Sequence, residues 1–360
     1  MRMGRPGEIV QLHTGAGWGG GESQVYQLAA GLRNRGIPCR LFCRAGGMLL
    51  DRAKAAGLAA EPLPRWLPGS RLAGRLQAAR TAVVHVHDSR ALAIGLRAAG
   101  GAGIPLVLSR RIASPLRANP RSRRKYSPRR IAAVLAISET VRDVMVRCGF
   151  PADRIFVAPS GLDLGALDAA EPDLALRGAG PGPVVGGIGA LSRKKNWTLL
   201  LRTAARLRQA APDLRWVIAG DGPERRRLDG LARELGVSGC VHFLGFRPDA
   251  LRVLSSLDLL FFPSRMEGAG VTVREAMAMG VPVVAARAPG TVESLDGHGW
   301  LVDPDDVEGA ARTVRRVLDD PEERTRVAAA ARDSARRRFS FDATLTRTLH
   351  VYERVAAGIA

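Results

Sequence analysis

Short runs of apolar residues alternate along the chain with longer segments whose apolar side chains recur at helical spacing. Val25, Leu28 and Leu32 lie three or four positions apart and predict a helix over 22–35, directly after a strand over 8–13. Gly36 marks its end. Further strands are predicted at 39–44, 82–87, 106–109, 132–137 and 155–158, and further helices at 49–56, 91–99 and 139–148.

The same alternation restarts after residue 183. Strands are predicted at 184–188, 215–219, 241–244, 257–262 and 281–285, helices at 197–210, 225–235, 250–256 and 271–279, and a mainly helical tail after 321. Strands that alternate with helices form parallel sheets covered on both faces. We therefore expect an α/β fold of two doubly wound, Rossmann-like domains facing across a cleft, which would hold the ligands.

The expected domain boundaries follow from composition. Residues 1–166 form the first predicted domain and residues 184–340 the second. Residues 167–183 have no clear period, and the second part of this stretch is rich in proline and glycine, so it is predicted to be a linker. Residues 341–360 are expected to form a terminal helix that docks back on the first domain.

The basic charge of the chain is concentrated in its first half. The net charge is +20, and only four of the 54 basic residues are lysines. Residues 1–178 carry 27 basic and 12 acidic side chains, whereas residues 179–360 carry 27 and 22. Residues 110–130 hold nine basic residues and no acid. This segment predicts contact with an anionic membrane or a phosphorylated acceptor, with a solvated loop as the alternative; no nucleic-acid module accompanies it, so nucleic acid is not expected.

Several classes of protein are excluded by what the sequence lacks. The four cysteines form no CxxC pair, which argues against a zinc site or a disulfide scaffold, and we expect no metal site. The N-terminal segment has no apolar signal-peptide core, and no apolar run reaches 18 residues. P-loop, H-E-x-x-H and G-x-S-x-G motifs are absent. A cytoplasmic location is the simplest expectation.

A glycine-rich turn follows the first predicted strand. Residues 15–20 fit G-x-G-x-x-G before a helix, but no acidic residue lies about 20 positions on, as a dinucleotide fold would require. The backbone N–H groups of such a turn can contact an anion at a helix start. An NADP-binding enzyme and a plain flexible turn both stay open as alternatives.

The most informative segment is 263–285. A buried strand ends at Pro263, and a loop with Gly268 and Gly270 precedes a predicted helix that stops at Gly280. The loop offers backbone amides and a positive helix end to a diphosphate. Glu267 and Glu275, eight residues apart, can accept hydrogen bonds from hydroxyl groups. Phosphate and polyol recognition in one loop indicates a nucleotide-sugar.

These motifs resemble the retaining family 4 glycosyltransferases of the GT-B fold, whose E-x7-E signature matches Glu267 and Glu275. The resemblance covers nearly the whole chain, with further matches at 19–22, 136–139, 159–163, 189–196, 219–223 and 243–245. It implies transfer of a sugar from a nucleoside diphosphate donor to a glycan or lipid-linked acceptor, as in cell envelope polysaccharide biosynthesis. It implies no required cofactor, and a peripheral position on the inner face of the cytoplasmic membrane.

The resemblance also assigns residues. Glu267, Lys195 and Arg193 are the expected catalytic residues, and Glu275 is expected to bind the donor ribose. The other donor-binding positions are Gly19, Gly20, Gly21, Gly189, Lys194, Gly268, Ala269, Gly270 and Val271. His87, Arg110 and Arg111 are expected on the acceptor side.

Two positions depart from the family pattern. Ala190 stands where the family has an arginine, so Arg193 or Lys194 would complete the diphosphate clamp beside Lys195. Ser160 replaces the usual asparagine. The alternatives that keep the fold are a nucleotide-sugar epimerase or hydrolase, and a non-enzymatic module that binds an anionic polymer or lipid is a further one.

Overall fold

The computed structural model describes residues 7–63, 69–116, 119–178 and 180–358. The chain divides into two compact units. Met1–Gly161 together with Phe341–Ala360 form the first unit, and Leu162–Ser340 form the second. No helix of the described residues is both long and apolar enough to cross a membrane.

The first unit is built on a parallel sheet of seven strands. The strands are β1 (Glu8–His13), β2 (Cys39–Arg44), β3 (Ala60–Leu63), β4 (Thr81–Val86), β5 (Leu106–Arg110), β6 (Ala133–Ala136) and β7 (Ile155–Val157). They lie in the order β3-β2-β1-β4-β5-β6-β7. The helices are α1 (Gly20–Asn34), α2 (Met48–Ala55), α3 (Gly69–Ala78), α4 (Ser89–Ala102), α5 (Pro120–Lys125) and α6 (Glu139–Arg147), with one more from the far end of the chain.

The second unit contains a parallel sheet of six strands. These are β8 (Val184–Ile188), β9 (Arg215–Ala219), β10 (Val241–Gly245), β11 (Leu259–Phe262), β12 (Val283–Ala286) and β13 (Trp300–Val302), in the order β10-β9-β8-β11-β12-β13. Its helices are α7 (Leu164–Asp168), α8 (Leu174–Gly178), α9 (Trp197–Leu207), α10 (Arg225–Glu234), α11 (Ala250–Ser255), α12 (Val271–Met279), α13 (Pro289–Leu295), α14 (Val307–Asp319) and α15 (Pro321–Phe339).

Strand β11 shows why the second sheet is covered on both faces. All four of its residues are apolar and fully or almost fully buried. Leu259 and Phe261 pack into one core with α9 and α14, whereas Leu260 and Phe262 pack into the other with α12 and α15. Because successive side chains of a strand point to opposite faces, an unbroken apolar run gives a strand buried on both sides.

A helix from the end of the described chain completes the first unit. Helix α16 (Phe341–Ala356) buries Leu345, Val351 and Tyr352 in the same core as Val83 and Val107 of the central strands. The Tyr352 hydroxyl lies 2.6 Å from Nδ1 of His85, inside the sheet's covered face. The first unit is therefore assembled from two segments that are distant in sequence.

The structure confirms the two doubly wound domains but differs in the stretch expected to be a linker. Part of residues 167–183 forms α8, and this stretch is folded onto the second unit. The Asp173 carboxylate accepts a hydrogen bond from Arg247 at 2.7 Å, and its N–H donates to Ser256 at 2.7 Å. Arg215 donates to the Leu176 carbonyl at 2.7 Å. These bonds fix a segment that its proline and glycine content alone describes as irregular.

Candidate active site

The loop after β11, residues 263–270, leads directly into α12 and is called the donor loop below. Gly270 precedes the helix with φ +58 and ψ 47, in the left-handed region that favours glycine. The first backbone bond of the helix runs from the Arg274 N–H to the Gly270 carbonyl at 3.0 Å. The N–H groups before Arg274 have no partner inside the helix, and Val271 is exposed, so the positive helix end is accessible to an anion.

Lys195 forms an ion pair with Glu267, in the middle of the donor loop. Lys195 Nζ lies 2.6 Å from Glu267 Oε2, and the two side chains are only 16% and 18% exposed. The ammonium group also lies 4.7 Å from the ring centroid of Phe262, the last residue of β11. A partly desolvated cation next to a free helix end is a strong position for a phosphate.

Backbone hydrogen bonds join the donor loop to residues 189–196, called the lysine loop. The Lys194 carbonyl accepts from the Arg265 N–H at 2.9 Å and from the Ser264 hydroxyl at 3.3 Å. Ser264 is fully buried. The two loops therefore hold Lys195 and Glu267 in register through their main chains, independently of the ion pair.

Glu275 lies one turn into α12, and its side chain has no hydrogen-bond partner among the described residues. Burial raises the pKa of its carboxyl group to about 7. An ionisable group kept in such a place without a partner costs stability, and groups of this kind concentrate at ligand sites. Its carboxylate is free to accept hydrogen bonds from hydroxyl groups of a ligand.

Arg274, the neighbour of Glu275, is completely buried beneath the donor loop. Its guanidinium stacks on Phe339 at 4.2 Å, and its Nε donates to Ser294 Oγ at 2.9 Å. That hydroxyl lies 2.8 Å from the carbonyl of Ala269, a residue of the donor loop. Both terminal nitrogens of Arg274 are buried without a partner, and burial lowers the pKa of the group to about 10.

Arg274→Met should leave the free energy of unfolding within about 1 kcal/mol of the wild-type value, because a buried charge can be exchanged for an apolar side chain of similar volume. Arg274→Ala should lower it by about 2–4 kcal/mol, since it leaves a cavity against Phe339. Urea unfolding of the full chain measures both. If methionine destabilises as much as alanine, the guanidinium itself stabilises the helix.

Gly290, the second residue of α13, supports the donor loop from the other side. Its N–H donates to the Glu267 carbonyl at 3.2 Å. A Cβ atom at this position would lie 2.5 Å from that carbonyl oxygen and 2.8 Å from the Gly268 carbonyl carbon. Only glycine permits this approach, so α13 fixes the backbone that carries Glu267.

The other predicted donor residues are placed less uniformly. Gly189 follows β8, and its N–H donates to the Ala219 carbonyl at 2.9 Å. The Arg193 side chain is 91% exposed, and its Nε lies 3.6 Å from a carboxylate oxygen of Glu224. Lys194 is exposed and contributes its carbonyl. The Ala190 carbonyl accepts from the indole N–H of Trp197 at 3.0 Å, which shapes the lysine loop.

In the first unit, the predicted glycine turn leads into α1. Gly19 precedes the helix, and Gly20 and Gly21 begin it. A Cβ atom at Gly20 or Gly21 would meet no protein atom within 4 Å, so packing does not require glycine there. Glu22 folds back so that its carboxylate lies 2.9 Å from His13 Nε2. Burial opposes ionisation of Glu22, but hydrogen bonds from His13 and nearby backbone hold its pKa below the usual value.

His87 lies at the end of β4 with both ring nitrogens engaged. Nε2 is 3.0 Å from the Gln11 side-chain oxygen, and Nδ1 is 3.2 Å from the Arg111 guanidinium. The Gln11 oxygen can only accept a hydrogen bond, so Nε2 carries the proton. The Arg111 guanidinium can only donate, so Nδ1 accepts. Burial lowers the pKa of His87 well below its usual value and that of Arg111 to about 10. This geometry favours a structural role for His87 over contact with an acceptor.

Arg110 diverges from Arg111 and donates to the Ser114 carbonyl at 2.6 Å. The two consecutive arginines therefore do not form one acceptor contact in this structure. Among the residues that the structure describes, no group of three or more His, Cys, Asp or Glu side chains is arranged to hold a metal ion.

Two family models divide the chain between them. The model "Glycosyltransferase Family 4" matches residues 18–166, and the model "Glycosyl transferases group 1" matches residues 178–334, which include the lysine loop, the donor loop and Glu275. The chain belongs to the family 4 glycosyltransferases. Its E-x7-E block and its two parallel sheets are those expected from the resemblance.

Relatives of this family 4 chain carry several transferase names. A 2-deoxystreptamine glucosyltransferase of Streptomyces kanamyceticus is 32% identical over 208 residues, which are 55% of this chain and 54% of the relative. An alpha-D-kanosaminyltransferase of the same organism is 29% identical over 76% of this chain and 70% of the relative. A lipopolysaccharide core biosynthesis glycosyltransferase of Rhizobium meliloti is 36% identical over 45% and 47%. The chain thus spans about half the length of two of these relatives.

Solved structures share the fold of this family 4 chain over nearly its full length. A glycosyltransferase from Rickettsia africae has a TM-score of 0.86 at 18% identity and covers 97% of this chain and 98% of its own. Anabaena HepE, solved in complex with UDP, has a TM-score of 0.82 at 22% identity and covers 96% and 99%.

Proposed function

We propose that this protein is a retaining glycosyltransferase that moves a sugar from a nucleoside diphosphate donor to a glycan or lipid-linked acceptor. The observation that carries the proposal lies within the second unit. The Lys195–Glu267 pair stands at an accessible helix start, and the half-buried Glu275, which has no partner among the described residues, lies one turn further on. This set offers a cation and amides to a diphosphate and carboxylates to hydroxyl groups.

The donor is assigned to these groups by their chemistry. The diphosphate binds the amide end of α12 and the Lys195 ammonium group, which then shares its charge between Glu267 and the phosphate. Glu275 accepts from ribose hydroxyls, and Glu267 lies near the transferred sugar.

The reaction exchanges one bond to the anomeric carbon for another. The bond between that carbon and the donor phosphate oxygen breaks, and a bond to the acceptor oxygen forms on the same face. The acceptor hydroxyl gives its proton to the departing phosphate, so no external base is needed. Lys195 and the α12 amides stabilise the negative charge that develops on that phosphate, in a site where they are already oriented.

The acceptor class is inferred from the relatives' names. Two name a 2-deoxystreptamine or kanosaminyl transfer, and one names the lipopolysaccharide core. 2-Deoxystreptamine and the lipopolysaccharide core are polyhydroxylated acceptors, whereas kanosaminyl names the sugar that is transferred. Because a family 4 chain with a strongly basic first half suits anionic glycolipids, we place its function in cell envelope polysaccharide synthesis, in the cytoplasm at the inner membrane face.

The proposed membrane contact lies in segment 110–130. Within the described part of that segment, Arg121, Arg123, Arg124 and Arg129 are exposed, whereas Arg117 lies outside the described residues. Each exposed arginine near an anionic surface contributes about 1 kcal/mol. The triple variant Arg121→Gln, Arg123→Gln, Arg124→Gln should therefore sediment far less with anionic vesicles at low salt.

The control for this contact is the triple variant Arg147→Gln, Arg202→Gln, Arg312→Gln, which removes the same charge from exposed sites elsewhere. This control variant should bind vesicles as the wild type does. Salt near 1 M should release the wild type and the control variant from the vesicles. Equal wild-type binding to neutral vesicles would contradict an electrostatic contact.

A nucleotide-sugar panel tests the function. UDP-, GDP- and ADP-glucose are added separately, and the one that is the donor should raise the melting temperature, because it binds only the folded state. UDP-sugars come first, since HepE was solved with UDP. The product is then analysed by proton NMR, and an anomeric configuration opposite to that of the donor would contradict retention. Donor turnover that is equally fast without any acceptor would contradict transfer.

A further inference from the structure

A pocket of about 570 Å³ opens in the first unit at the carboxyl ends of β1, β2 and β3. Ligands of parallel sheets bind at this end of the strands. The pocket is separate from the donor loop and lysine loop, which belong to the second unit. Its lining residues are Thr14, Arg44, Ala45, Leu63, Arg90, Ala93, Ile94 and Arg97.

Two of the three arginines come from one face of α4. Arg90, Ala93, Ile94 and Arg97 occupy positions i, i+3, i+4 and i+7, so they line one side of the helix. Seven residues of helix separate the two guanidinium-bearing positions by about 10 Å along the axis. Arg44 enters from the end of β2. The pocket is thus walled by basic side chains from two elements, with apolar residues between them.

The three arginines give this pocket a positive charge. No acidic residue lines it, and within the described ranges none of Arg44, Arg90 and Arg97 makes an ion pair or a side-chain hydrogen bond. All three side chains are exposed. What sets these three guanidinium groups apart is that they line one concave surface together.

The nearest acid along the chain is already occupied. Asp88 accepts from the Thr14 N–H at 2.6 Å and hydroxyl at 2.7 Å, and from the N–H groups of Arg90 and Ala91 at 2.9 and 2.8 Å. Burial opposes its ionisation, but these hydrogen bonds hold the pKa of Asp88 below the usual value. The carboxylate therefore fixes Thr14 and the start of α4 and leaves the arginines to a ligand.

We propose that this pocket binds the phosphate group of a phosphorylated acceptor. The guanidinium group of arginine can donate two parallel hydrogen bonds to phosphate oxygens. Three guanidinium groups suit a doubly charged phosphomonoester better than they suit a ligand with one carboxylate. The inference rests on the proposed function, because it names the acceptor class of that same reaction. It adds a subsite, Arg44–Arg90–Arg97, to a protein whose donor groups lie in the other unit.

Binding of glucose 1-phosphate, measured by calorimetry with UDP present to occupy the donor site, tests the pocket. The triple variant Arg44→Gln, Arg90→Gln, Arg97→Gln should weaken binding by about tenfold or more, since hydrogen bonds to charged groups are lost. The vesicle-control triple at residues 147, 202 and 312 removes equal charge and should change the affinity by less than about twofold.

Three results would overturn the proposal. They are equal losses in the two triple variants, equal wild-type affinity for uncharged glucose, and tighter binding of glucuronate than of glucose 1-phosphate. Vesicles containing phosphatidic acid form a second arm. Loss of vesicle binding in the pocket variant, with no soluble phosphate bound by the wild type, assigns the phosphate to a lipid headgroup.

Measuring the UDP affinity of the same two triple variants tests the pocket and the proposed function separately. Unchanged UDP affinity with weakened glucose 1-phosphate binding supports the pocket alone. Failure of the wild type to bind any nucleotide-sugar contradicts the proposed function, whereas the glucose 1-phosphate comparison between the two triple variants still decides the pocket.

Discussion

Lys195→Ala should lower kcat by about 10²–10³ at saturating donor, the effect of removing one group that stabilises developing charge. The ammonium group is only 16% exposed and is held at 2.6 Å from Glu267 by two loops whose backbones are bonded to each other. It is therefore oriented before the donor arrives. Its charge matters most when the phosphate departs, so the loss should appear in kcat more than in KM.

The matched control is Lys54→Ala, which removes an exposed lysine from α2. It should retain wild-type kcat. Thermal unfolding of both variants shows whether the fold is intact, because the loops stay joined through the Lys194 carbonyl when the ion pair is lost. A Lys195→Ala enzyme with full kcat would remove this residue from the reaction.

Glu275→Gln should weaken binding of the donor nucleotide-sugar by about tenfold or more, because a charged acceptor for ribose hydroxyls is replaced by a neutral amide. In the wild type, affinity should also fall as the pH drops below about 7, where the Glu275 carboxyl group becomes protonated. The variant should show no such fall. Calorimetry with a nucleotide-sugar between pH 6 and 8 measures both effects.

The same substitution should stabilise the protein at high pH. Burial raises the folded-state pKa of Glu275 from 4.5 to about 7, so between these values the folded state binds the extra proton. Wild-type stability therefore falls as pH rises through this window, by about 2 kcal/mol after allowance for partial exposure. Glutamine carries no charge, so its stabilising effect should be absent near pH 4.5 and complete above about pH 7.

Melting curves across this pH range test the sign. The control is Glu234→Gln, because Glu234 is exposed on α10. It should show no pH-dependent gain. A Glu275→Gln variant that is less stable than the wild type at pH 8 would contradict this prediction. It would show that the Glu275 carboxylate already has a partner in the unliganded protein.

Sequence patterns predicted the elements of the donor site closely. Strands β8 and β9 and helix α12 begin and end at the predicted residues, because continuous apolar runs and a terminal glycine define them locally. Strand β3 was not predicted, since Glu61 and Pro62 interrupt its apolar pattern. The pairing of this edge strand with β2 depends on a neighbour that the local sequence does not show.

Side-chain placement was harder to predict than backbone structure. Arg274 was not identified, although its spacing from Met277 and Ala278 places it on the buried face of α12; a charged residue is normally taken as exposed. Arg193 was expected beside the diphosphate, and this stays a prediction; its exposed side chain lies 3.6 Å from Glu224. The pocket lined by Arg44, Arg90 and Arg97 brings together residues 14, 44, 63 and 90–97. These residues are far apart in sequence, so no local sequence motif could predict the pocket.

The docking of α16 on the first sheet has a consequence during synthesis. While a ribosome translates residues 162–340, the first sheet has emerged, but the helix that buries Val83 and Val107 has not. At 5–20 residues per second this interval lasts roughly 10–40 s. Through it the nascent chain exposes an apolar sheet face, and His85 lacks its contact with Tyr352. The second unit can therefore finish folding before the first, and chaperones have their longest access to the segment made earliest.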